Sequence, residues 1–291
     1  MVECSSGKIA PKTLPKVGRD TSLVGLGYDW AVTIDSGVPR SAAATGLEPL
    51  GAELAERLTV ARMPDGGAEV FATIQGEGAS QGVPSTFLRL AVCNLRCSWC
   101  DTAYTWDWKR YARAEQTMTA SAGELVASIA ALAPKNVVIT GGEPLVQRRQ
   151  LVPLARELVA LGHRIEVETN GTIAPGPLAE FVAQFNVSPK LLSSGNEGLR
   201  TIRPEVLRAF ADPSVNAFAK FVVSNPEDVD EVDTIVREAG FQPEHVILMP
   251  QGTTAADLNE RGRWLANACV ARGYRFSTRL HIFLWGDKRG V

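Results

Sequence analysis

The stretch CNLRCSWC, residues 93–100, places three cysteines on one short segment. Three residues separate Cys93 from Cys97, and two separate Cys97 from Cys100. Thiolates are the preferred protein ligands of iron–sulfur clusters. Three of them can hold three irons of a [4Fe-4S] cluster and leave the fourth iron open to a small molecule. The segment therefore predicts a catalytic cluster.

Other uses of these cysteines agree less well with the sequence. A structural zinc site needs four ligands, and the remaining cysteines, Cys4 and Cys269, lie far from the segment. Disulfide scaffolds are short and pair an even number of cysteines, whereas this chain has five in 291 residues. A non-catalytic zinc-binding or interaction module built on the three cysteines remains an alternative from another class.

Composition and charge limit the partners. Hydrophobic residues make up 45% of the chain, enough to build one large α/β domain or two smaller ones. No apolar run approaches the ~20 residues that span a bilayer. The formal net charge of −2 gives no electrostatic reason to expect nucleic acid or a membrane as a partner. Reduced cysteines and the lack of a signal-peptide pattern predict a cytoplasmic protein.

The N-terminal part differs from the rest of the chain. Residues 1–62 are rich in Ser, Gly, Pro and Ala and show no sustained hydrophobic period over most of their length. We expect a poorly structured extension there. Residues 63–291 are then expected to form one catalytic domain.

Beyond this extension, short β-rich runs alternate with helical patterns. Strands are predicted at residues 86–92, 136–140, 164–168, 185–188, 218–223 and 245–249. Helices are predicted at residues 120–133, 148–161, 204–211, 226–239 and 254–272. The alternation favours an α/β fold with a parallel sheet. About six such units predict a partial, open TIM-like barrel rather than a closed eight-stranded one.

Unusual residues follow these predicted strands. They are Cys93, Gly141-Gly142-Glu143-Pro144, Thr169-Asn170-Gly171, Pro189-Lys190 and Pro250-Gln251-Gly252. Barrel-type α/β enzymes build their sites at the C-terminal ends of strands, so one shared site is expected. Glycines permit close approach of the backbone, and we expect the Gly141-Gly142 pair to let the main chain approach a ligand.

The C-x3-C-x2-C spacing, followed by GGEP at a strand end, resembles the radical S-adenosylmethionine (SAM) enzymes. The resemblance implies that the open iron binds the amino and carboxylate groups of SAM, and that the reduced cluster cleaves SAM to a 5′-deoxyadenosyl radical. It assigns SAM contacts to Trp99, Gly142, Ser188, Pro189, Lys190, Met249, Pro250, Gln251 and Gly252. Core packing remains open for Trp99, and a solvated surface position for Lys190.

Further segments narrow the resemblance. Ile74-Gln75-Gly76-Glu77-Gly78 and Arg89 precede the cysteines, Asp101-Thr102 follows them, and the chain ends in LHIFLWGDKRGV. Together, over about residues 68–291, these segments resemble the 7-carboxy-7-deazaguanine synthases. The resemblance implies conversion of 6-carboxy-5,6,7,8-tetrahydropterin to 7-carboxy-7-deazaguanine and ammonia, in queuosine and deazapurine biosynthesis, with SAM regenerated in each cycle.

The same resemblance implies partners and site residues. Thr102 would ligate Mg²⁺, an external flavodoxin-like protein would donate electrons, and two chains would form a homodimer. Substrate contacts are assigned to Ile74, Gln75, Gly76, Glu77, Arg89, Thr140, His281 and the carboxylate of Val291.

The residue types suit a pterin that carries a carboxylate. Gln75 and Glu77 offer hydrogen-bonding groups for the ring edge, and Arg89 can hold a carboxylate with two parallel hydrogen bonds. Simpler explanations remain open: a structural ion pair for Arg89, an exposed turn for Glu77, a turn cap for Thr102 and a core position for His281. The nearest rival function is a radical SAM activating enzyme that acts on a partner protein and consumes SAM.

Overall fold

The computed structural model describes residues 53–196 and 201–291. These residues form one ten-stranded sheet with helices packed against it. The strands are β1 Arg57–Ala61, β2 Val70–Ile74, β3 Pro84–Leu90, β4 Thr117–Ser121, β5 Asn136–Gly141, β6 Arg164–Thr169, β7 Gln184–Val187, β8 Ala217–Val223, β9 Val246–Pro250 and β10 Arg275–Phe276. The α-helices are α1 Arg113–Gln116, α2 Ala122–Ala130, α3 Arg148–Ala160, α4 Pro204–Ala211, α5 Pro226–Ala239, α6 Ala255–Arg272 and α7 Leu280–Trp285.

The parallel part of the sheet runs β3-β5-β6-β7-β8-β9-β10. Every neighbouring pair in this run is parallel. Val137, Val138 and Ile139 of β5 are fully buried, as expected for a strand covered on both faces. The predicted α/β class and the mostly parallel sheet are confirmed, and the two-residue β10 adds a strand that the sequence pattern does not show.

Three antiparallel strands extend the sheet beyond β3. Strand β2 pairs with β3, and β1 pairs with both β3 and β4. Because Leu58 and Val60 of β1 are fully buried, the ordered domain begins before residue 63, and the predicted boundary at 62 lies too late. The partners of β1 lie tens of residues away, so a five-residue run beside a Gly-rich turn gave no local signal. Residues 1–52 of the predicted extension lie outside the described residues.

Local end signals fix the helices. Ser121 and Asn225 each form a capping box with the residue three positions later. Gly240 and Gly273 end α5 and α6 in the left-handed conformation. The bounds predicted for α4 and α5 are confirmed. The helix predicted at 120–133 is shorter, because residues 117–121 pair with β1 as strand β4.

Across the described ranges, no helix is both long and apolar enough to cross a membrane.

Candidate active site

The C-terminal ends of the parallel strands border a cavity of about 400 Å³. Its wall contains all three cysteines of the 93–100 segment and every residue predicted to contact substrate or Mg²⁺. Of the predicted SAM residues, all line the cavity except Pro189 and Pro250. The tertiary structure thus brings together residues from position 74 to position 291.

A strained residue turns the chain from β3 into the cysteine segment. Val92 has φ 75°, a left-handed conformation that β-branched residues rarely adopt. Two backbone hydrogen bonds hold it: its N–H donates to the Thr105 carbonyl at 2.8 Å, and its carbonyl accepts from the Glu143 N–H at 2.9 Å. Such strain persists only where the surroundings enforce it. The start of the cysteine segment is therefore fixed from both sides.

Each of the three sulfur atoms accepts one N–H hydrogen bond. The Leu95 backbone donates to Cys93 Sγ at 3.4 Å, Asn196 Nδ2 donates to Cys97 Sγ at 3.2 Å, and Trp106 Nε1 donates to Cys100 Sγ at 3.3 Å. Burial raises the pKa of Cys93 to about 12 and also raises that of Cys97. These half-buried sulfurs suit a cationic iron centre, which stabilises thiolates that burial alone disfavours.

The arrangement of the three cysteines is compatible with a cluster. Within the described ranges, no three His, Cys, Asp or Glu side chains are placed to hold one metal ion. A [4Fe-4S] cluster does not require such convergence, since each thiolate binds a different iron. This geometry gives no support to the zinc-module alternative.

The two glycines of GGEP also have a packing role. A Cβ on Gly141 would overlap the backbone of Leu90, and one on Gly142 would overlap the carbonyl of Val92. The Gly142 and Glu143 N–H groups donate to those same two carbonyls. The glycines therefore let this turn pack against the end of β3. For a ligand, the turn offers the carbonyl oxygen of Gly142 rather than its amide.

The Glu143 side chain also fixes this turn, through hydrogen bonds. It is fully buried and accepts hydrogen bonds from the backbone N–H groups of Leu145 and Asn170 and from the Thr169 hydroxyl. Burial raises the pKa of its carboxyl. The residue joins the ends of β5 and β6 and does not reach the cavity.

Glu77 is not the exposed turn residue that its glycine neighbours suggest. Lys220 and Arg279 both form ion pairs with its carboxylate, the latter through Nε at 2.9 Å. Burial would raise the pKa of Glu77, but these two cations outweigh it and hold that pKa well below its usual range. Arg279 also donates to the Gly252 carbonyl and pairs with Asp101. One guanidinium thus links Glu77, the Gly252 carbonyl and Asp101, which lie in three segments far apart in sequence.

A second carboxylate, Glu168, accepts hydrogen bonds from two of the predicted substrate contacts, Gln75 and Thr140. Gln75 Nε2 donates to Glu168 Oε1 at 3.1 Å, and the Thr140 hydroxyl donates to Oε2 at 2.7 Å. Glu168 itself lines the cavity. Each carboxylate oxygen can accept more than one hydrogen bond, so capacity remains for the N–H groups of a ligand.

Arg89 belongs to a buried charged cluster and also reaches the cavity. Its Nε donates to the fully buried Glu69 at 2.7 Å, and Arg289 and Tyr104 share the same carboxylate. The structural ion pair is therefore real. No other described residue engages the Arg89 η nitrogens, and Arg89 lines the cavity, so its outer guanidinium edge can hold an anionic group.

Thr102 and His281 both line the cavity. The Thr102 side chain makes no capping hydrogen bond to its turn, which removes the turn-cap explanation. Its hydroxyl lies 3.7 Å from Cys100 Sγ. His281 packs on Gly76, where a Cβ would overlap its ring, and burial lowers its pKa. His281 is half-buried rather than a core residue.

The SAM-assigned side of the cavity is tied to the cysteine segment. The Trp99 indole donates to the Ser193 carbonyl at 3.2 Å, and the Lys190 ammonium lies 6.0 Å from the Trp99 ring centroid. Lys190 also donates to the carbonyl and hydroxyl of Ser188. Lys190 is thus held at the cavity wall rather than solvated freely.

Comparison with known proteins agrees with this site. The family model of the Radical SAM superfamily matches residues 89–265. A 7-carboxy-7-deazaguanine synthase from Pyrobaculum aerophilum is 42% identical over 225 residues, 76% of this chain and 95% of the relative. This chain belongs to the 7-carboxy-7-deazaguanine synthase family.

Two further comparisons extend over most of the chain. The family member from Halobacterium salinarum is 37% identical and covers 75% of this chain and 90% of its own length. The crystal structure of QueE from Escherichia coli superposes with a TM-score of 0.59 at 26% identity, covering 81% of this chain and 100% of the other. Members of the radical SAM superfamily carry a [4Fe-4S] cluster and bind SAM. These relatives give no support to the activating-enzyme rival.

Four charged residues around the cavity were not predicted from the sequence: Glu69, Glu168, Lys220 and Arg279. Lys220 stands in the otherwise apolar strand β8 and is 5% exposed. Glu168 continues the alternating pattern of Glu166 in β6. A charge at an inward position of a buried strand was the available signal. Glu69 and Arg279 lie outside the strands and gave none.

Proposed function

We propose that this chain converts 6-carboxy-5,6,7,8-tetrahydropterin to 7-carboxy-7-deazaguanine with release of ammonia. The observation that carries the proposal is one cavity that combines the three cysteines, an outward-facing edge of Arg89 and the Gln75–Glu168–Thr140 hydrogen-bonding group. These groups match a cluster, a carboxylate and the polar edge of a flat heterocycle, respectively.

Different residues would bind the cluster, the substrate and SAM. Cys93, Cys97 and Cys100 would hold the cluster, which with SAM supplies a 5′-deoxyadenosyl radical when bound. Arg89 holds the substrate carboxylate, while Gln75 and Glu168 hold the ring edge, so that one C–H faces the SAM side of the cavity. The Gly142 carbonyl accepts from the SAM ammonium. Orientation and exclusion of water are the protein's contribution to such chemistry.

The electron donor, the oligomeric state and the Mg²⁺ site are part of the same proposal. A flavodoxin-like protein would supply one electron to the cluster, and the active form would be a homodimer. Mg²⁺ would bind at Thr102, with the substrate carboxylate and water completing the octahedral shell that one hydroxyl cannot provide. The position of Thr102 at the cavity wall, with its hydroxyl not used to cap the turn, supports this placement.

An anaerobic assay tests the reaction. Reconstituted protein is incubated with SAM, dithionite, Mg²⁺ and 6-carboxytetrahydropterin, and the products are followed by mass spectrometry. We expect 7-carboxy-7-deazaguanine in molar excess over SAM consumed. Cleavage of SAM to 5′-deoxyadenosine without that product would contradict the substrate, and one SAM consumed per turnover would contradict catalytic use of SAM.

Replacing Thr102 with alanine should reduce the stimulation of product formation by Mg²⁺ about tenfold or more, because the hydroxyl ligand is lost. The visible absorbance of the cluster should stay unchanged, since Thr102 contributes no ligand to iron. Thr105→Ser serves as the control, because Thr105 is buried and serine keeps the hydroxyl that donates to the Thr102 carbonyl. Undiminished Mg²⁺ stimulation in Thr102→Ala would remove Thr102 from the metal site.

A further inference from the structure

Three N–H groups donate hydrogen bonds to the three cysteine sulfurs. One is a backbone amide, from Leu95, while the other two belong to the side chains of Trp106 and Asn196. A hydrogen bond to a coordinating thiolate withdraws electron density from the sulfur. It stabilises the reduced, more negative form of an iron–sulfur cluster and so raises its reduction potential.

Trp106 is held for this contact by the turn that follows Cys100. Residues Ala103–Thr105 form a single 3-10 turn, and the backbone N–H of Trp106 donates to the Ala103 carbonyl at 3.1 Å. Thr105 is fully buried and supplies the carbonyl that accepts from the strained Val92. The same turn therefore anchors the start of the cysteine segment and brings the indole N–H back to its last sulfur.

Asn196 makes the corresponding contact from another part of the chain. Its Oδ1 accepts from the Arg96 N–H at 2.7 Å, while its Nδ2 donates to Cys97 Sγ and to the Ser194 hydroxyl. The neighbouring carbonyl of Ser194 accepts from the Ser98 N–H at 2.9 Å. The amide orientation is thus set by both of its ends, with the donor directed at sulfur.

We propose that Trp106 and Asn196 are positioning residues that set the reduction potential of the cluster through N–H···S hydrogen bonds to Cys100 and Cys97. This inference rests on the cluster of the proposed function. Their effect is to raise the potential of a cluster that three thiolates would otherwise make strongly reducing. An external one-electron donor can then reduce it.

The test compares two tryptophans. Trp106→Phe keeps most of the ring but removes the N–H, whereas Trp108→Phe makes the same change beside Arg113, whose guanidinium lies 5.6 Å from the Trp108 ring. Both indoles are half-buried, and only Trp106 lines the cavity. Iron and sulfide content, visible absorbance and an EPR-monitored redox titration without SAM are measured for wild type and both variants.

Trp106→Phe is expected to load the cluster and to titrate at a more negative potential. At a fixed potential, the ratio of reduced to oxidised cluster should fall about threefold. Trp108→Phe should match wild type. Equal potentials in all three proteins would overturn the inference. A wild type that binds no cluster would instead contradict the proposed function, so the two failures are distinguishable.

A second measurement does not depend on cluster loading in Trp106→Phe. Wild-type protein is prepared with ¹⁵N-indole tryptophan, and the reduced cluster is examined by pulsed EPR for a ¹⁵N hyperfine coupling. We expect a coupling in wild type and in Trp108→Phe. Its absence from labelled wild type would show that no indole N–H reaches a cluster thiolate and would overturn the role of Trp106.

Asn196→Ala extends the test to the second side chain. Loss of the amide donor should shift the potential in the same negative direction, and the double variant with Trp106→Phe should shift it further. An unchanged potential in a cluster-loaded Asn196→Ala protein would remove Asn196 from the proposal.

Discussion

Replacing Cys97 with alanine is expected to lower product formation by at least ~10⁶-fold, below detection, because the radical reaction has no alternative route without the cluster. Cys97 lines the cavity, and its sulfur accepts a hydrogen bond from the Asn196 side-chain amide. We expect the iron content and visible absorbance of anaerobically reconstituted protein to fall with activity. SAM cleavage to 5′-deoxyadenosine should disappear in the same variant.

Cys269→Ala is the matched control for this experiment. Cys269 is buried in α6 and donates to the Arg275 carbonyl at 3.5 Å, far in sequence from the cysteine segment. Its loss should cost about 1–2 kcal/mol of unfolding free energy and leave iron content and turnover unchanged. Full cluster absorbance and SAM cleavage in Cys97→Ala would contradict the assignment of Cys97 as a ligand.

Replacing Gly142 with alanine is expected to reduce the unfolding free energy by about 3 kcal/mol or more and to reduce iron loading strongly. The added methyl group would overlap the carbonyl of Val92, which is already held in a strained conformation next to Cys93. The neighbour that must move is backbone, so the strain cannot be relieved by a side-chain rotation. Urea unfolding and iron content measure the two effects.

Gly67→Ala separates this effect from the general cost of changing a glycine. A Cβ on Gly67 would lie 3.6 Å from the nearest atom, Asp65 Oδ1, an ordinary contact. We expect a change within ~0.5 kcal/mol and unchanged iron loading. Similar stability of Gly142→Ala and Gly67→Ala would contradict the packing role assigned to Gly142.

Much of the fold could be predicted from local signals. The boundaries of α5 follow from Asn225-Pro226 at one end and Gly240 at the other, since these residues satisfy the free backbone groups of the helix ends. Buried parallel strands such as β5 show as short apolar runs between turn residues. The three cysteines also carry their meaning within eight residues, because cluster ligation depends on thiolates closely spaced on one loop.

The strands β1, β2 and β4 could not be predicted in this way. Each is short. Strand β1 pairs with β3 and with β4, and its partner in β4 lies sixty residues further along the chain, as in the pair Thr59 and Thr119. Short strands are stable only when paired, so their identity depends on which distant segments lie beside them. The boundary predicted at residue 62 was wrong for this reason.

In the candidate site too, some features follow from the sequence and others only from the tertiary structure. Sequence by itself determined which chemistry the chain carries: three thiolates on one segment, a glycine turn at a strand end, and an arginine and a glutamine suited to a carboxylate and a ring. Only the tertiary structure decided how the charges are used. Glu77 is committed to Lys220 and Arg279, and Glu69 joins Arg89 to Arg289, 220 residues away from it in sequence. Ion pairs and hydrogen bonds depend on distance in space, and the parallel sheet sets that distance by placing the ends of remote strands around one cavity.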